Sequence, residues 1–427
     1  MALSTQPYKG ARDFYPEDKR LQKHIFDQMR EVVESFGYQE YDAPLIEPVD
    51  IYLAKSGEEI VNDQLYSFED KGGRKVAIRP EMTPSVSRMV AARRQELAYP
   101  LRWYSIPNLW RYERPQRGRL REHYQLNVDI FGVNDISADH EIILIADSIM
   151  RVFKAPTGSY TIRINSRKLV DFFFQDQLKL SDEQFHEATK LIDRWHKIDK
   201  ADFEAQAKEV LSSDSHYQKL LELLDSKGLD ELPTGLKSHA SVEELRKLMS
   251  LLKESGVDSA GFDFSVIRGM DYYDDIIFEV FDTSPENNRS MFGGGRYGGL
   301  VGDFGVEPVP TVGFGMGDVT LQIFLELHKL LPALESEVDA TVILVGDVYE
   351  AAQKVLTELR QKGLNISVDG TDRKLDAKIK NAAKAGVKYA IFVGEQELKT
   401  GKFKLKNLQS GDERELPSND LVTEIGR

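Results

Sequence analysis

The chain has 427 residues and a formal net charge of −14, and at roughly 100–200 residues per domain this length predicts two to four domains. It contains no cysteine, which excludes disulfides, thiolate catalysis and cysteine-based zinc sites, and its histidines do not have metal-binding spacing. No apolar run is long enough to span a membrane and no apolar segment follows the start, so we expect a cytoplasmic chain with no membrane partner and no metal of its own.

The first predicted elements are a helix and a strand. Apolar residues recur at intervals of three and four over residues 18–36, which predicts an amphipathic helix. Gly37 follows as a plausible stop. Residues 38–52 (YQEYDAPLIEPVDIY) then predict an extended strand with prolines at its edges.

Strands and helices alternate irregularly through the middle of the chain. Residues 101–133 predict two strands around an arginine-rich loop, and a helix (139–153) and a strand (160–165) follow. Helical patterns with capping signals such as Ser181 continue from about 170 to 258. Strands return over 264–281, before a glycine-rich hairpin and a helix at about 317–331.

Residues 339–427 form a separate pattern. Strand and helix signals alternate there as β, α, β, α, β, which predicts a small α/β domain with a largely parallel sheet. The negative charge of the chain lies outside this segment, which is close to neutral. That charge distribution is compatible with a nucleic-acid-binding face.

The loop between the two strands of residues 101–133 concentrates positive charge in an acidic protein. Its five arginines are Arg111, Arg114, Arg117, Arg119 and Arg121. Guanidinium groups match the oxygens of phosphates and carboxylates, so this cluster predicts an anion-binding loop. The alternative is a solvated basic loop with surface ion pairs.

Four segments resemble the histidyl-tRNA synthetase family of class II aminoacyl-tRNA synthetases, and they occur in that family's order. They are residues 79–90 (RPEMTPSVSRMV), 110–132 (WRYERPQRGRLREHYQLNVDIFG, similar to motif 2), 268–279 (RGMDYYDDIIFE) and 293–300 (GGGRYGGL). The similarity runs through essentially the whole chain.

The resemblance implies a fold and a domain order. We expect an α+β catalytic domain with the class II antiparallel sheet, a helical insertion, and a C-terminal α/β anticodon-binding domain. The expected boundaries are 1–169 with 260–332 for the catalytic domain, 170–259 for the insertion and 338–427 for the anticodon-binding domain. The helix, Gly37, the strand and Pro44 together resemble motif 1, which implies a homodimer.

The resemblance also implies a reaction and its substrates. Histidine would be activated by ATP, which arrives with Mg²⁺, and then transferred to tRNA(His). The attacking α-carboxylate is ionised at neutral pH, since a free α-carboxyl titrates at about 3.5. The step therefore needs positioning and positive charge rather than a protein nucleophile or base.

The ATP-binding residues implied by the resemblance are Arg111, Glu113, Arg119, Arg121 and Arg268. Among these, Arg111 would contact the α-phosphate, and Arg268 would lie between that phosphate and the histidine carboxylate; both are expected to be catalytic. Glu113 would bind the adenine amine, and Arg119 and Arg121 the terminal phosphates. Gln116 and Arg117 would contact the acceptor end of the tRNA.

The histidine-binding residues implied by the resemblance are Glu81, Thr83, Gln125, Asp129, Tyr272 and Tyr273. Glu81 and Thr83 would accept from the ammonium group, while Asp129 and Tyr273 would bind the imidazole. Alternation along a strand predicts that Gln125 and Asp129 share a face with Asn127. The same rule applied to Tyr272 and Tyr273 predicts that one of them belongs to the core, and Tyr273 is the favoured ligand.

Two positions depart from the family pattern. Gly298 stands where the family usually has aspartate. Motif 3 (residues 313–321, GFGMGDVTL) has Thr320 where class II enzymes usually have an arginine, and Arg296 or Arg119 could replace that charge. The missing arginine leaves open a catalytically silent relative that acts as a regulatory subunit of ATP phosphoribosyltransferase. A class II enzyme for another amino acid is a third reading, and the absent zinc ligands oppose it.

Overall fold

The computed structural model describes residues 3–53, 63–196, 198–267, 272–287 and 289–426. The chain divides into two compact units, one of residues 1–14 and 22–331, the other of residues 15–21 and 332–427. Within the described ranges, no helix has both the length and the apolar character needed to cross a membrane.

The N-terminal helix forms as its periodicity predicts. Helix α1 (Pro16–Ser35) buries a face that includes Ile25, Met29 and Val33, and Gly37 follows with a φ of 83°. The single strand predicted over residues 38–52 is wrong. The structure has two short strands and one helical turn instead: β1 (Gln39–Glu40), β2 (Ile46–Pro48) and α2 (Asp50–Leu53). Proline cannot donate to a ladder; Pro44 lies between the two short strands, and Pro48 is the last residue of the second.

A small antiparallel sheet and a helix precede the central sheet. Strand β4 (Lys75–Ile78) lies between β2 and β3 (Tyr66–Glu69). Helix α3 (Thr83–Ala92) follows and has proline in its first turn, where a missing N–H costs nothing.

The central sheet has nine strands in the described residues. With β1, its members are β5 (Leu101–Ser105), β6 (Asn108–Trp110), β7 (Glu122–Phe131), β8 (Tyr160–Ser166), β9 (Ala260–Phe262), β10 (Ile276–Asp282), β11 (Ser290–Tyr297) and β12 (Thr311–Gly317). The order is β1-β5-β7-β12-β11-β10-β8-β9, with β6 paired to β7. Only the outer pairs β1–β5 and β8–β9 are parallel, so the predicted antiparallel sheet is confirmed.

Helices flank this sheet. Helix α4 (Ile136–Val152) begins at the Asp135 cap and contacts β7 and β12. The helical region contains α5 (Arg167–Asp171), a π-helical turn (Phe172–Gln177), α6 (Asp182–Ile192), α7 (Lys200–Leu211), α8 (Asp214–Leu224), α9 (Thr234–Lys237) and α10 (Ala240–Glu254). Ser181 caps α6 in a capping box with Gln184, as predicted. Helix α11 (Asp318–Leu327) follows β12 directly.

The second unit has its own sheet and core. Its elements are β13 (Ala340–Leu344), α12 (Tyr349–Gln361), β14 (Ile366–Asp369), α13 (Leu375–Lys384), β15 (Tyr389–Val393), α14 (Glu395–Thr400), β16 (Lys402–Asn407), β17 (Glu413–Pro417) and α15 (Ser418–Ile425). The order is β14-β13-β15-β16-β17, with the first three strands parallel and the last two antiparallel. The predicted α/β fold is confirmed, and the antiparallel pair extends it.

Candidate active site

A cavity of about 110 Å³ in the first unit, here the central cavity, collects residues that are distant in the sequence. It is lined by Glu81, Thr83, Arg111, Gln125, Asn127, Asp129, Tyr272, Tyr273, Gly293, Tyr297, Gly313, Phe314 and Gly315. One ordered water needs roughly 10–15 Å³ by the same kind of measure, so a small molecule fits here. All six residues predicted to bind histidine line this cavity, together with Arg111.

Strand β7 supplies one wall. Gln125, Asn127 and Asp129 line the cavity together because alternate residues of a strand point to the same face. Asp129 is buried, and its Oδ1 accepts a hydrogen bond of 2.6 Å from the hydroxyl of Tyr297. Burial raises the pKa of Asp129 to about 7, although the hydrogen bond from Tyr297 acts in the opposite direction. A carboxyl that titrates near neutral pH therefore faces the cavity.

Glycines on β11 and β12 form the floor. A Cβ on Gly313 would lie 2.0 Å from Asp129 Oδ1, and one on Gly315 would lie 2.9 Å from the side chain of Gln125. A Cβ on Gly293 would lie 2.3 Å from the carbonyl oxygen of Phe278. Any side chain at these positions would collide with the wall or with the neighbouring strand, so glycine keeps the cavity open.

The tyrosine pair closes another side. Tyr272 and Tyr273 precede β10, and their ring centroids are 4.7 Å apart. The Tyr272 hydroxyl lies 3.4 Å from Glu81 Oε2. The expectation that one tyrosine would belong to the core is wrong. Neither residue is on a strand, so alternation does not apply, and both line the cavity.

Arg111 connects the cavity to the motif 2 loop (residues 111–121). Its Nε donates to the carbonyl of Pro80 at 2.9 Å. This hydrogen bond holds the guanidinium group in place. Arg268, the other predicted catalytic arginine, lies outside the described residues, as do its neighbours 269–271. The structure therefore places only Arg111 of this pair.

Within the loop, the predicted ATP-binding residues take different positions. Arg119 Nε lies 3.5 Å from Glu113 Oε2, and that buried oxygen has no hydrogen-bond partner among the described residues. Arg121 donates to the carbonyl of Glu113, and its guanidinium lies 4.0 Å from the ring centroid of Tyr112. Glu113, Arg119 and Arg121 do not line the central cavity. Glu113 keeps an acceptor available for an amine.

The tip of the motif 2 loop lies close to Thr320, the position at which motif 3 differs from the family pattern. Gln116 and Arg119 exchange backbone hydrogen bonds of 2.9 Å, with Arg117 exposed between them. The hydroxyl of Thr320 donates to the carbonyls of Met291 (2.8 Å) and Gly317 (3.2 Å). A threonine fits at this position because its hydroxyl forms hydrogen bonds with main-chain carbonyls.

Arg296 cannot supply the charge absent from Thr320. Its guanidinium is buried and donates to the Asp139 carboxylate and to the carbonyls of Val133 and Asp135. The suggestion that Arg296 could replace the motif 3 arginine is therefore wrong, because these groups hold it against α4. Gly298 is the second position that differs from the family pattern. Its N–H donates to Asp274 Oδ2 at 2.9 Å, so an aspartate at position 298 would face the carboxylate of Asp274.

Tyr297 also belongs to the cavity, although it is not among the site residues predicted from the sequence. It contacts Asp129 and lines the cavity. A signal existed, because positions 293 and 297 share a face of β11 by alternation.

Among the described residues, no group of three or more histidine, aspartate or glutamate side chains could hold a metal ion.

Comparisons with known proteins agree with this geometry. A family model described as histidyl-tRNA synthetase matches residues 10–319, and one described as an anticodon binding domain matches residues 339–427. The histidine–tRNA ligase of Leptospira biflexa serovar Patoc is 44% identical over 428 residues, which cover 99% of this chain and 98% of the relative.

Solved structures show the same fold. The histidyl-tRNA synthetase of Nostoc sp. PCC 7120 superposes with a TM-score of 0.84 at 25% identity, covering 99% of both chains. A Bacillus halodurans structure titled ATP phosphoribosyltransferase regulatory subunit/histidyl-tRNA synthetase has a TM-score of 0.74 at 22% identity, covering 92% of this chain and 100% of that one. The second likeness shows the fold alone. With its catalytic segment and its C-terminal segment both matched, the chain belongs to the histidyl-tRNA synthetase family.

Proposed function

We propose that this chain is a histidine–tRNA ligase that forms histidyl-adenylate from histidine and ATP and transfers the histidyl group to the 3′ end of tRNA(His). The observation that supports this most directly is the central cavity. It gathers acceptors, hydroxyls and a buried carboxylate from four separate segments around a space for one small molecule.

Histidine would bind in the central cavity through its three polar groups. Glu81 and Thr83 offer acceptors to the ammonium group, and Gln125 bridges between ammonium and carboxylate. Asp129 and Tyr273 bind the imidazole, with Tyr272 beside them. A pocket that pairs imidazole N–H groups rejects other side chains by about 10⁴ or more, because a wrong side chain leaves buried polar groups unpaired.

Activation would take place at the mouth of this cavity. A carboxylate oxygen of histidine forms a bond to the α-phosphorus of ATP, and the bond to the bridging oxygen breaks as pyrophosphate leaves with the electron pair. Arg111 lines the cavity and would stabilise charge on the α-phosphate. Arg268 would lie between that phosphate and the histidine carboxylate and stabilise the charge that develops there. Mg²⁺ would arrive with ATP and offset charge on its phosphates.

The motif 2 loop would hold the rest of ATP. Glu113 Oε2, which Arg119 approaches to 3.5 Å without donating a hydrogen bond, suits the exocyclic amine of adenine, since a buried acceptor left without a donor is costly. Arg119 and Arg121 would contribute positive charge for the terminal phosphates. Gln116 and Arg117 would contact the tRNA acceptor end at the exposed loop tip.

Transfer completes the reaction. A hydroxyl of the terminal ribose of tRNA attacks the carbonyl carbon of the adenylate, and AMP leaves. Residues 338–427 would bind the anticodon, 1–169 with 260–332 would carry the chemistry, and 170–259 would form an insertion. We place this reaction in the cytoplasm, where tRNA is aminoacylated.

Pyrophosphate exchange measured with each amino acid in turn tests this function. Exchange should depend on histidine alone, and Asp129→Asn should raise the KM for histidine while leaving the KM for ATP unchanged. A regulatory paralogue would show no exchange with any amino acid, and an enzyme of another specificity would respond to a different one. The full-length relative at 44% identity favours the ligase over the regulatory reading.

The chain would act as a homodimer through motif 1. Leu45, Ile46 and Phe68 expose 44%, 47% and 46% of their surface on or beside the small sheet, and clustered exposed apolar residues mark interaction surfaces. Ile46→Glu should shift sedimentation from dimer toward monomer, whereas Leu3→Glu, at a residue that is 93% exposed, should not. A wild-type monomer at micromolar concentration would contradict the proposal.

A further inference from the structure

Arg289 lies immediately before β11, beside the motif 2 loop. Its side chain is exposed, and Nη2 lies 3.5 Å from Oε1 of Gln116, which is the outer limit for a hydrogen bond. Among the described residues, no carboxylate is within ion-pair distance of it. Arg289 is therefore a loosely held cation at the tip of an arginine-rich loop.

Three elements meet at this point. A Cβ on Gly118, at the loop tip, would lie 3.9 Å from both Thr320 Cγ2 and Ile323 Cδ1 of α11. Thr320 in turn donates to the carbonyl of Met291, two residues after Arg289. The loop tip, the first turn of α11 and the start of β11 thus converge where the motif 3 arginine is missing.

The charge at this point is not balanced by protein groups. The loop carries Arg117 and Arg119 on either side of Gly118, and Glu113 is the one carboxylate paired with them in the described residues. Adding Arg289 gives three guanidinium groups for one carboxylate. In a chain with a net charge of −14, such a local excess of positive charge favours an anionic ligand.

Other arginines around α11 are already bound. Arg12 Nη2 donates to Asp318 at 2.8 Å, and Asp318 is the first residue of that helix. Arg296 is fixed by Asp139. Among the described residues outside the loop itself, Arg289 is the basic side chain near Thr320 that retains donors for a ligand.

We propose that Arg289 binds the terminal phosphates of ATP and supplies the positive charge that Thr320 cannot. This rests on the proposed function. Strand β11 joins the two sites, because Gly293 lines the central cavity four residues further on, roughly 13 Å along an extended strand. A guanidinium suits this task because its planar fork can donate two parallel bonds to phosphate oxygens.

Pyrophosphate exchange without tRNA tests the assignment in the full chain. Arg289→Gln should raise the KM for ATP about tenfold or more while the KM for histidine stays within about twofold. Arg289→Lys keeps the positive charge but lacks the planar fork of the guanidinium. Its KM for ATP should lie between that of the wild type and that of Arg289→Gln. Arg93→Gln is the matched control, because Arg93 is also exposed and its ion pair in the described residues is with the exposed Glu96. The KM values of this variant should not change.

The second measurement introduces an arginine at position 320, where the family usually has one. Thr320→Arg introduced into the Arg289→Gln variant should lower the KM for ATP again if both arginines serve the same phosphates. An unchanged KM for ATP in Arg289→Gln would overturn the proposal. A rise confined to the KM for tRNA in aminoacylation would also overturn it, since the phosphates would then belong to tRNA. Failure of the wild type to catalyse histidine-dependent exchange would instead contradict the proposed function.

Discussion

Asp129 is the residue whose protonation the fold controls most directly at the site. Burial raises its pKa from 3.8 to about 7, so the folded chain binds this proton more tightly than the unfolded chain does. Its contribution to the free energy of unfolding is therefore largest below pH 3.8 and is lost as the pH rises toward 7. A ligand that donates an N–H to this carboxylate would favour the ionised form and reverse the shift.

Histidine binding should consequently release protons near pH 7. Titration calorimetry in two buffers with different ionisation enthalpies measures the number released, and we expect a few tenths of a proton at pH 7, falling toward zero above pH 8. Asp129→Asn removes this titrating group while keeping its size, so the release should fall to what the imidazole of the ligand, with an ordinary pKa near about 6.5, gives up on binding. Equal release from the variant and the wild type would show that Asp129 does not titrate on binding.

At the scale of elements, helix α4 is attached to the central sheet by two ion pairs that differ in burial. Arg296 and Asp139 join β11 to α4 with side chains 9% and 1% exposed. Arg102 and Glu141 join β5 to the same helix at 30% and 22%. Removing one member of a buried pair strands a charge in a low-dielectric region, whereas a more exposed charge is rehydrated.

Arg296→Met should therefore lower the free energy of unfolding by about 3–5 kcal/mol, and Arg102→Met by about 1 kcal/mol. Urea unfolding followed by tryptophan fluorescence reports on the first unit alone, because Trp103, Trp110 and Trp195 all lie in it. Equal losses from the two variants would mean that burial does not set the strength of these pairs.

Several elements could be predicted because a local pattern determines them. The periodicity of α1 and the alternation on β7 each needed only neighbouring residues, and they placed Gln125 and Asp129 on one wall of the cavity. The C-terminal pair β16 and β17 was missed although KFKLKN alternates buried and exposed residues as a strand does. The longer α/β alternation before it led us to expect a largely parallel sheet and to overlook this pair.

Other features depend on contacts that no local pattern contains. The pairing of Tyr297 with Asp129 joins residues 168 positions apart. The engagement of Arg296 by Asp139 joins positions 157 apart. The position of Tyr272 and Tyr273 depends on where β10 begins, which the continuous pattern of residues 264–281 did not reveal. Tertiary contacts fix all three.

At the scale of the whole molecule, each of the two units has its own sheet and buried core. In the second unit the core includes Val342, Leu356, Ile391 and Leu405. Every described residue that lines the central cavity belongs to the first unit. Activation of histidine should therefore not need the second unit, whereas recognition of tRNA should.

Deleting residues 338–427 should leave histidine-dependent pyrophosphate exchange within about threefold and reduce aminoacylation of tRNA by more than about 100-fold, because the anticodon contacts proposed for this unit would supply part of the binding energy. Circular dichroism checks that the shortened chain is folded. Loss of exchange in a folded truncation would contradict this division of labour.

The glycine floor of the central cavity limits how this binding site could evolve. A part of its surface at Gly293, Gly313 and Gly315 is main chain, and any larger residue there would meet a strand or a wall. Substitution can therefore alter the substrate range only from the walls, where side chains such as Tyr273 can be exchanged. To make the site accept a bulkier amino acid, side chains on those walls would have to be shortened, since the glycines of the floor have no side chain to remove.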